Sequence, residues 1–331
     1  MFLISAIIVN ELSKQFVSSK RREEYKRKDD SQHKNGVVEA VKNISFEVRE
    51  GEIFGFLGPN GAGKTTTIRM LTGVLEPTKG YAEIFGKNIW KYPIQVKQMI
   101  GNVPEMANVF PDLTGMQNLN LIGKLYDIPK NVRLQRAEEL LKKFGLYEKR
   151  NLKTKTYSKG MIQIVSLGMA LISNPKILFL DEPTSGLDVM SARVIKKVIR
   201  EYNKKGVTIF LTTHNMEVAN ELCDRIAIIN KGRLISLDTP ENLKEAYKEP
   251  QAINVTFNLD IEKGDLEKLN SVEKLSKTKN GWTLEVPEVN SALIELIDFA
   301  RSNNLKINQI NTLQSSLEDI FLKIIETGVD N

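Results

Sequence analysis

Along the chain, the first run whose residue types and spacing specify chemistry is Gly58-Pro59-Asn60-Gly61-Ala62-Gly63-Lys64-Thr65. It fits G-x-x-x-x-G-K-[ST]. The apolar Ile53-Phe54-Gly55-Phe56-Leu57 precedes it and a helix-like stretch from Thr66 to Leu75 follows, the strand, loop and helix setting that gives the pattern meaning. Glycines at 58, 61 and 63 let the backbone curl so that successive N–H groups face phosphate oxygens. The positive end of the following helix adds to that field. Lys64 is placed to reach the β- and γ-phosphates of a nucleoside triphosphate, and Thr65 to ligate Mg²⁺.

A phosphate cradle does not say what happens to the nucleotide. Ile177-Leu178-Phe179-Leu180-Asp181-Glu182 reads as a buried strand ending in two acids. Asp181 can hold the Mg²⁺ shell, and Glu182 can polarise an attacking water as a general base. The plainer alternative is an acidic pair that caps the next turn, and binding alone would need only Asp181. His214 follows the strand-like Ile209-Phe210-Leu211-Thr212-Thr213, at the carboxyl end where α/β sheets gather ligand groups, so it reads as a γ-phosphate contact. The other histidine, His33, lies among charges and reads as a solvated residue.

These groups need a sheet to hold them. Strand-like runs at Ile4 to Leu12, Val37 to Val48, Ile177 to Leu180, Thr208 to Thr212 and Arg225 to Ile229 alternate in part with helical runs. The helical runs are Met190 to Lys204 and Glu217 to Cys223, and the alternation indicates a largely parallel sheet covered by helices. From about Val96 to Tyr157 the signals are helical. Thr114 and Gln117 form a capping box ahead of Leu119 to Leu125, and Leu134, Ala137, Leu140, Leu141 and Phe144 recur at helical spacing. Residues 18–36 form a charged insertion, too polar to bury, read as a mobile hairpin loop with a docking role as the alternative.

After Asp238-Thr239-Pro240 the composition shifts. Ile253, Val255, Phe257 and Leu259 alternate with polar residues, as do Trp282, Leu284 and Val286. Two helices follow, about Ser291 to Ser302 and from Ser315, where Glu318 completes a capping box before Ile320, Phe321, Ile324 and Ile325. No cluster in this segment has the makings of a catalytic site.

Composition narrows the class. A chain of 331 residues exceeds one hydrophobic core, and 41% hydrophobic with 27% charged residues is a globular balance. The single cysteine, Cys223, reads as a small core residue, and with no leader before the first strand the expected compartment is cytoplasmic. No apolar run approaches the roughly 20 residues that span a bilayer. The net charge of +6 comes from basic residues interspersed with acids, as on solvated helix faces.

Taken in order, residues 3 to 238 resemble the ABC-type ATPases, the nucleotide-binding subunits of ATP-binding-cassette transporters. Tyr157-Ser158-Lys159-Gly160-Met161 stands ahead of the Asp181 strand, where that family carries a signature, usually Leu-Ser-Gly-Gly-Gln. Ser158 and Gly160 are kept, while Tyr157, Lys159 and Met161 depart. The resemblance implies two subunits facing head to tail, with Ser158 and the Gly160 amide of one closing on the γ-phosphate held by the other. Ser185-Gly186-Leu187-Asp188 matches the loop that crosses the same interface. Phe16 stands where the family stacks an aromatic ring on adenine. Glu105, in Ile100-Gly101-Asn102-Val103-Pro104-Glu105, replaces a glutamine that touches Mg²⁺ and senses the membrane partner. Glutamate keeps an oxygen ligand and adds a charge beside the γ-phosphate.

The implied fold is α/β: a P-loop nucleoside triphosphatase core over residues 1–240, with a helical subdomain at about 96–160, and a small α+β accessory domain over 241–331. The loop from Gly58, Pro59, Asn60, Gly61, Ala62 and Gly63 through Lys64, Thr65 and Thr66 would hold ATP. Thr65, Asp181 and Glu105 would hold Mg²⁺, and Glu182, His214 and Lys64 would carry hydrolysis. The implied partners are a second copy or a similar ATPase subunit and separate membrane permease subunits at the inner face of the cell membrane, with no nucleic acid. Ser316-Leu317-Glu318-Asp319-Ile320-Phe321 is similar to the end of the accessory domain in drug-, lipid- and ion-exporting groups. The alternative is a soluble ABC-type ATPase acting on nucleic acid or ribosomes, against which stand the absence of a long heptad insertion and of a second cassette. A binding module without turnover is disfavoured by Glu182 and His214 together.

Overall fold

The computed structural model describes residues 5–17, 37–246, 251–279, 281–313 and 317–327. The charged insertion 18–36 and the capping position Ser315 lie outside the described residues.

β1 (Ser5–Val17) and β2 (Val37–Arg49) pair antiparallel, with Val41, Ile44, Phe46 and Val48 buried and Asn43, Ser45 and Glu47 exposed. This is the alternation of a strand with one dry face. β3 (Ile53–Leu57) runs into α1 (Lys64–Leu71), and β4 (Lys79–Ile84) with β5 (Lys87–Asn88) completes a sheet of order β2-β1-β4-β5. After α2 (Pro93–Met99) comes β6 (Ile100–Val103), hydrogen-bonded parallel to a later strand. The helical run expected from about residue 96 is therefore interrupted, because a four-residue apolar segment carries too little periodicity to declare itself.

The helices proper of this region are α3 (Gly115–Leu125), α4 (Lys130–Lys143) and α5 (Lys159–Leu171). The capping box forms as expected: Gln117 N donates to Thr114 Oγ1 at 3.1 Å, and Thr114 N donates to Gln117 Oε1 at 2.9 Å. β7 (Ile177–Asp181), α6 (Val189–Asn203), β8 (Thr208–Thr213), α7 (Met216–Leu222), β9 (Arg225–Asn230) and β10 (Arg233–Asp238) then alternate. The second sheet has the order β10-β9-β3-β8-β7-β6 and is parallel except for β10. β3, β7 and β8 are buried at every residue, as strands covered on both faces must be.

Five phenylalanines tie the two sheets together. Phe46 of β2 stacks on Phe54 at 5.5 Å, Phe54 on Phe210 at 5.7 Å, and Phe56 and Phe179 each meet Phe210 at 5.5 Å. Each such pair contributes about 0.5–1.5 kcal/mol beyond area burial, which fixes the strand ends to which the polar groups are attached. Cys223 packs in this core, where burial pushes its thiol well above the ordinary range, and a Cβ on Gly55 would sit 2.8 Å from its sulfur.

The chain divides into two compact units, Met1–Pro240 and Glu241–Asn331. After α8 (Pro240–Ala246), the second unit builds β11 (Gln251–Phe257), α9 (Lys263–Leu266), β12 (Lys274–Lys277), β13 (Trp282–Val286), α10 (Val289–Ser302), β14 (Ile307–Leu313) and α11 (Leu317–Thr327). Its sheet, of order β12-β13-β11-β14, is antiparallel. Ile253, Val255, Trp282, Leu284 and Val286 bury their side chains with Ala292 and Leu296 of α10. Leu259 does not extend the pattern: β11 ends at Phe257 and Leu259 is exposed in the bend beyond. α10 begins two residues earlier than its sequence suggests, because the Glu288 carboxylate accepts from the N–H groups of Asn290 and Ser291. Among the described residues no helix is long and apolar enough to cross a membrane.

Candidate nucleotide site

The site is built where β3, β8 and β7, neighbours in the parallel sheet, reach their carboxyl ends. β3 delivers the chain into the loop 58–63, whose backbone passes too close to its surroundings for side chains. A Cβ on Gly58 would lie 2.2 Å from the Ile229 carbonyl oxygen. One on Gly63, whose φ is +112°, would lie 2.5 Å from that of Ala40. Only glycine meets both conditions, the left-handed backbone and the close approach. Ala62 N donates to the Pro59 carbonyl at 3.1 Å, and Gly232 N donates to the Ala62 carbonyl at 2.9 Å, holding the loop against the turn after β9.

Lys64, at the start of α1, is buried. Its ammonium donates to the Gly58 carbonyl at 2.6 Å and stands 3.4 Å from Glu182 Oε1. Glu182 is itself only 8% exposed and has a φ of +48°, a left-handed backbone for a residue with a branched-off charge. Its N–H donates to the Thr212 carbonyl at 3.1 Å, which anchors the turn. Glu182 Oε2 lies 2.9 Å from His214 Nδ1, leaving Nε2 as the ring nitrogen able to meet a phosphate oxygen. Glu182 Oε1 has no hydrogen-bond partner despite its burial, a condition an active site retains when a further polar group belongs there.

Asp181, 3% exposed, accepts from Thr212 Oγ1 at 2.5 Å. Thr212 was not singled out from the sequence, where a threonine in a strand is ordinary β propensity. The available signal was the run Thr212-Thr213-His214, three hydrogen-bonding side chains closing a strand next to the acidic one.

A cleft of about 430 Å³ brings Pro59, Asn60, Gly61, Gly63, Lys64, Thr65 and Thr66 together with Glu105, Glu182 and His214. Ala40 and Ser185 line it as well. Asp181 lies buried beside Glu182, and Gly58 and Ala62 form the loop's inner side. Phe16, Ser158 and Gly160 do not line this cleft. Phe16, on β1, is 42% exposed with the Lys14 ammonium 5.4 Å from its ring centre. Ser158 caps α5, its hydroxyl accepting from Met161 N at 3.3 Å. A Cβ on Gly160 would come 2.0 Å from Ser191 Oγ, so the start of α5 is fitted tightly against the start of α6.

The arrangement can hold a triphosphate on backbone amides and an ammonium, and can present a carboxylate, oriented by a histidine, to a water beside the terminal phosphate. A parallel sheet ending in such a loop, with an acidic pair at the end of β7 on the far side of β8, defines a P-loop nucleoside triphosphatase.

Comparison with known proteins gives the particular family. The ABC transporter family model matches residues 41–185, and a model for the C-terminal domain of DrrA1-3-like ATP-binding proteins matches residues 239–325. The linearmycin resistance ATP-binding protein LnrL of Bacillus subtilis is 33% identical over 290 residues, 86% of this chain and 93% of that protein. The daunorubicin/doxorubicin resistance ATP-binding protein DrrA of Streptomyces peucetius is 35% identical over 302 residues, 88% of this chain and 89% of that one. A solved ATP-binding subunit of an ABC transporter superposes with a TM-score of 0.62 at 26% identity, covering 73% of this chain and 93% of its own. A dimeric ATP-binding cassette in a post-hydrolysis state with ADP and phosphate superposes with a TM-score of 0.60 at 26% identity, over 70% of this chain and 98% of that one. The chain belongs to the ABC transporter ATP-binding proteins and is an ATP hydrolase of that family.

Proposed function

We propose that this chain is the motor subunit of an exporter: two copies, or one copy and a similar ATPase subunit, close on ATP and reopen on hydrolysis, driving separate permease subunits. The observation that carries the catalytic part is Glu182, wedged between Lys64 and His214 in the cleft that Thr65 and the glycine loop share. Glu182 takes the proton of the attacking water, His214 orients Glu182 and meets the γ-phosphate, and Lys64 leaves its own loop for the β- and γ-phosphate oxygens. Residues 58–66 bind the triphosphate chain.

The residues present fit Mg²⁺. The donors near the loop, Thr65, Asp181 and Glu105, are all oxygens, and Glu182 Oε1 is buried without a hydrogen bond. Among the described residues no group of three or more acidic, histidine or cysteine side chains could hold a metal by itself. That suits an ion which keeps its waters and the nucleotide's phosphates as ligands. When bound, Mg²⁺ supplies charge neutralisation on those phosphates. Glu105 would lend a second carboxylate to its shell.

Phe16 is assigned to the adenine ring, and Ser158 and Gly160 to the γ-phosphate of the facing subunit. The ATPase domain comprises residues 1–240, with α3, α4 and α5 as its helical subdomain, and the accessory domain residues 241–331. Residence at the inner face of the cell membrane follows from the permease partner. Export is supported by the relatives LnrL and DrrA, ATP-binding proteins of resistance to linearmycin and to daunorubicin or doxorubicin, and by the DrrA-like C-terminal match. Glu182→Gln tests the core of the reading: with ATP it is expected to elute as a stable dimer, with ADP as a monomer. An ATP-loaded variant that stays monomeric removes closure between two copies of this chain, and continued turnover removes Glu182 as the base.

A further inference from the structure

A second cleft, of about 540 Å³, opens at the opposite end of the same strands. Lys176 immediately precedes β7, and Lys205, Gly206 and Val207 precede β8, so the cleft is about 17–20 Å of strand away from Asp181 and His214. Arg136 and Lys143 of α4 face it from the helical side, and Phe85 and Tyr202 supply its aromatic faces.

Its charges are held in an uncommon manner. The Lys176 ammonium sits 5.1 Å from the Phe85 ring centre, and the Lys143 and Lys205 ammoniums sit 4.7 and 5.1 Å from that of Tyr202. An aromatic face orients an amine without neutralising it, whereas a carboxylate does both. Lys143 also pairs with the Glu201 carboxylate, which holds its charge chiefly through Lys143 and more weakly through Lys197 and Lys205, while Lys176 has the Phe85 ring as its neighbour. Arg136 spends one N–H on the Ile172 carbonyl at 3.1 Å and keeps the rest of its donor fork. Glu50 and Glu139 are the acids of the lining, against four cations. Three lining residues, Phe85, Asn174 and Gly206, have φ of +47°, +55° and +89°. For Phe85 that is a conformation bulky side chains rarely adopt, and it keeps the ring at the cleft wall.

We propose that this cleft binds a small phosphate-bearing anion, gripped by Lys176, Lys205 and Arg136 with the Tyr202 hydroxyl as a neutral donor. Burial raises the Tyr202 phenol above its ordinary range, so the hydroxyl stays protonated at neutral pH. The volume suits a ligand the size of a sugar phosphate or a nucleotide. The ligand would bridge α4 to the amino ends of β7 and β8, the strands whose other ends carry Asp181 and lead to His214.

Inorganic pyrophosphate, titrated calorimetrically into the full chain, tests the proposal. The wild type is expected to take up two per chain, Lys64→Ala one, and Lys64→Ala combined with Lys176→Ala and Lys205→Ala none. Tyr202→Phe, which keeps the ring and loses the donor, is expected to weaken the second site about fivefold, within the range of one hydrogen bond. Normal ATP turnover by the Lys176→Ala/Lys205→Ala protein would show that it folds. The proposal is overturned if Lys64→Ala abolishes all uptake, if the lysine variants leave the second site intact, or if anion binding appears only on phosphatidylglycerol vesicles and not with pyrophosphate.

Discussion

Every buried polar or charged side chain among the described residues lies in the first unit; in the second, every buried side chain is apolar. The difference separates two kinds of core. In residues 251–327 the charges stay outside, paired on the surface as Lys268 with Asp265 or Lys277 with Asp260, and such exposed pairs contribute about 0–1 kcal/mol. In the first unit Lys64, Asp181 and Glu182 are placed beneath the surface, where unpaired charge costs several kcal/mol, and they persist because each has a partner within reach. Burying charge is an expense a protein tolerates where chemistry requires it, and the contrast alone picks out the catalytic unit.

The strongest attack on this contrast is Glu182→Gln. Steady-state ATP hydrolysis is expected to fall by about 10²–10⁴-fold, the range of a lost general base, with nucleotide binding retained. A radiometric phosphate assay beside a fluorescent-nucleotide titration separates the two. Next comes Leu296→Ala in the second unit. Its fully buried side chain should cost about 2–5 kcal/mol in urea denaturation, with ATP binding by the first unit unchanged. A parallel loss of nucleotide affinity would break the comparison.

Thr114→Ala removes one half of the capping box at α3, and is expected to destabilise the first unit by about 1 kcal/mol, read as a shifted midpoint. The smallest effect is acid sensitivity at α10. The Glu288 carboxyl is held below its usual range chiefly by the Ser291 hydroxyl, and then by the N–H groups of Ser291 and Asn290. A depressed folded value means that Glu288 stabilises above its unfolded pKa of about 4.3 and loses that contribution as pH falls through the folded value. Glu288→Gln should flatten that acid limb of the second unit's unfolding curve and leave the neutral region almost unchanged.

The parts of the site written contiguously were legible. Gly58 to Thr65 fixes its own geometry, and Asp181, Glu182 and His214 each end a buried apolar run, so strand and side-chain chemistry arrive together. What was not legible depended on distance or on single dihedrals. Thr212 matters only because β7 and β8 are neighbours in register, Asp181 opposite Thr212. Gly160 is required by Ser191, thirty-one positions on. The strands β6 and β10 were missed because a four-residue run broken by glycine and asparagine, and a six-residue run with a charge at each end, do not show a period. The alternating strands of the second unit were easier, since one dry face and one wet face leave a period of two in the sequence.

The contact between Lys64, the Gly58 carbonyl and Glu182 has a consequence for discrimination among anions. An incoming phosphate must outcompete a carbonyl and a carboxylate already in contact with the lysine, a demand that weighs more on a lone oxyanion than on a chain of linked phosphates. On the proposed assignment a triphosphate would engage the loop amides and Lys64 at once and meet that demand through chelation. The cradle would thereby favour linked phosphates over a single one, by the number of contacts made together and not by charge alone.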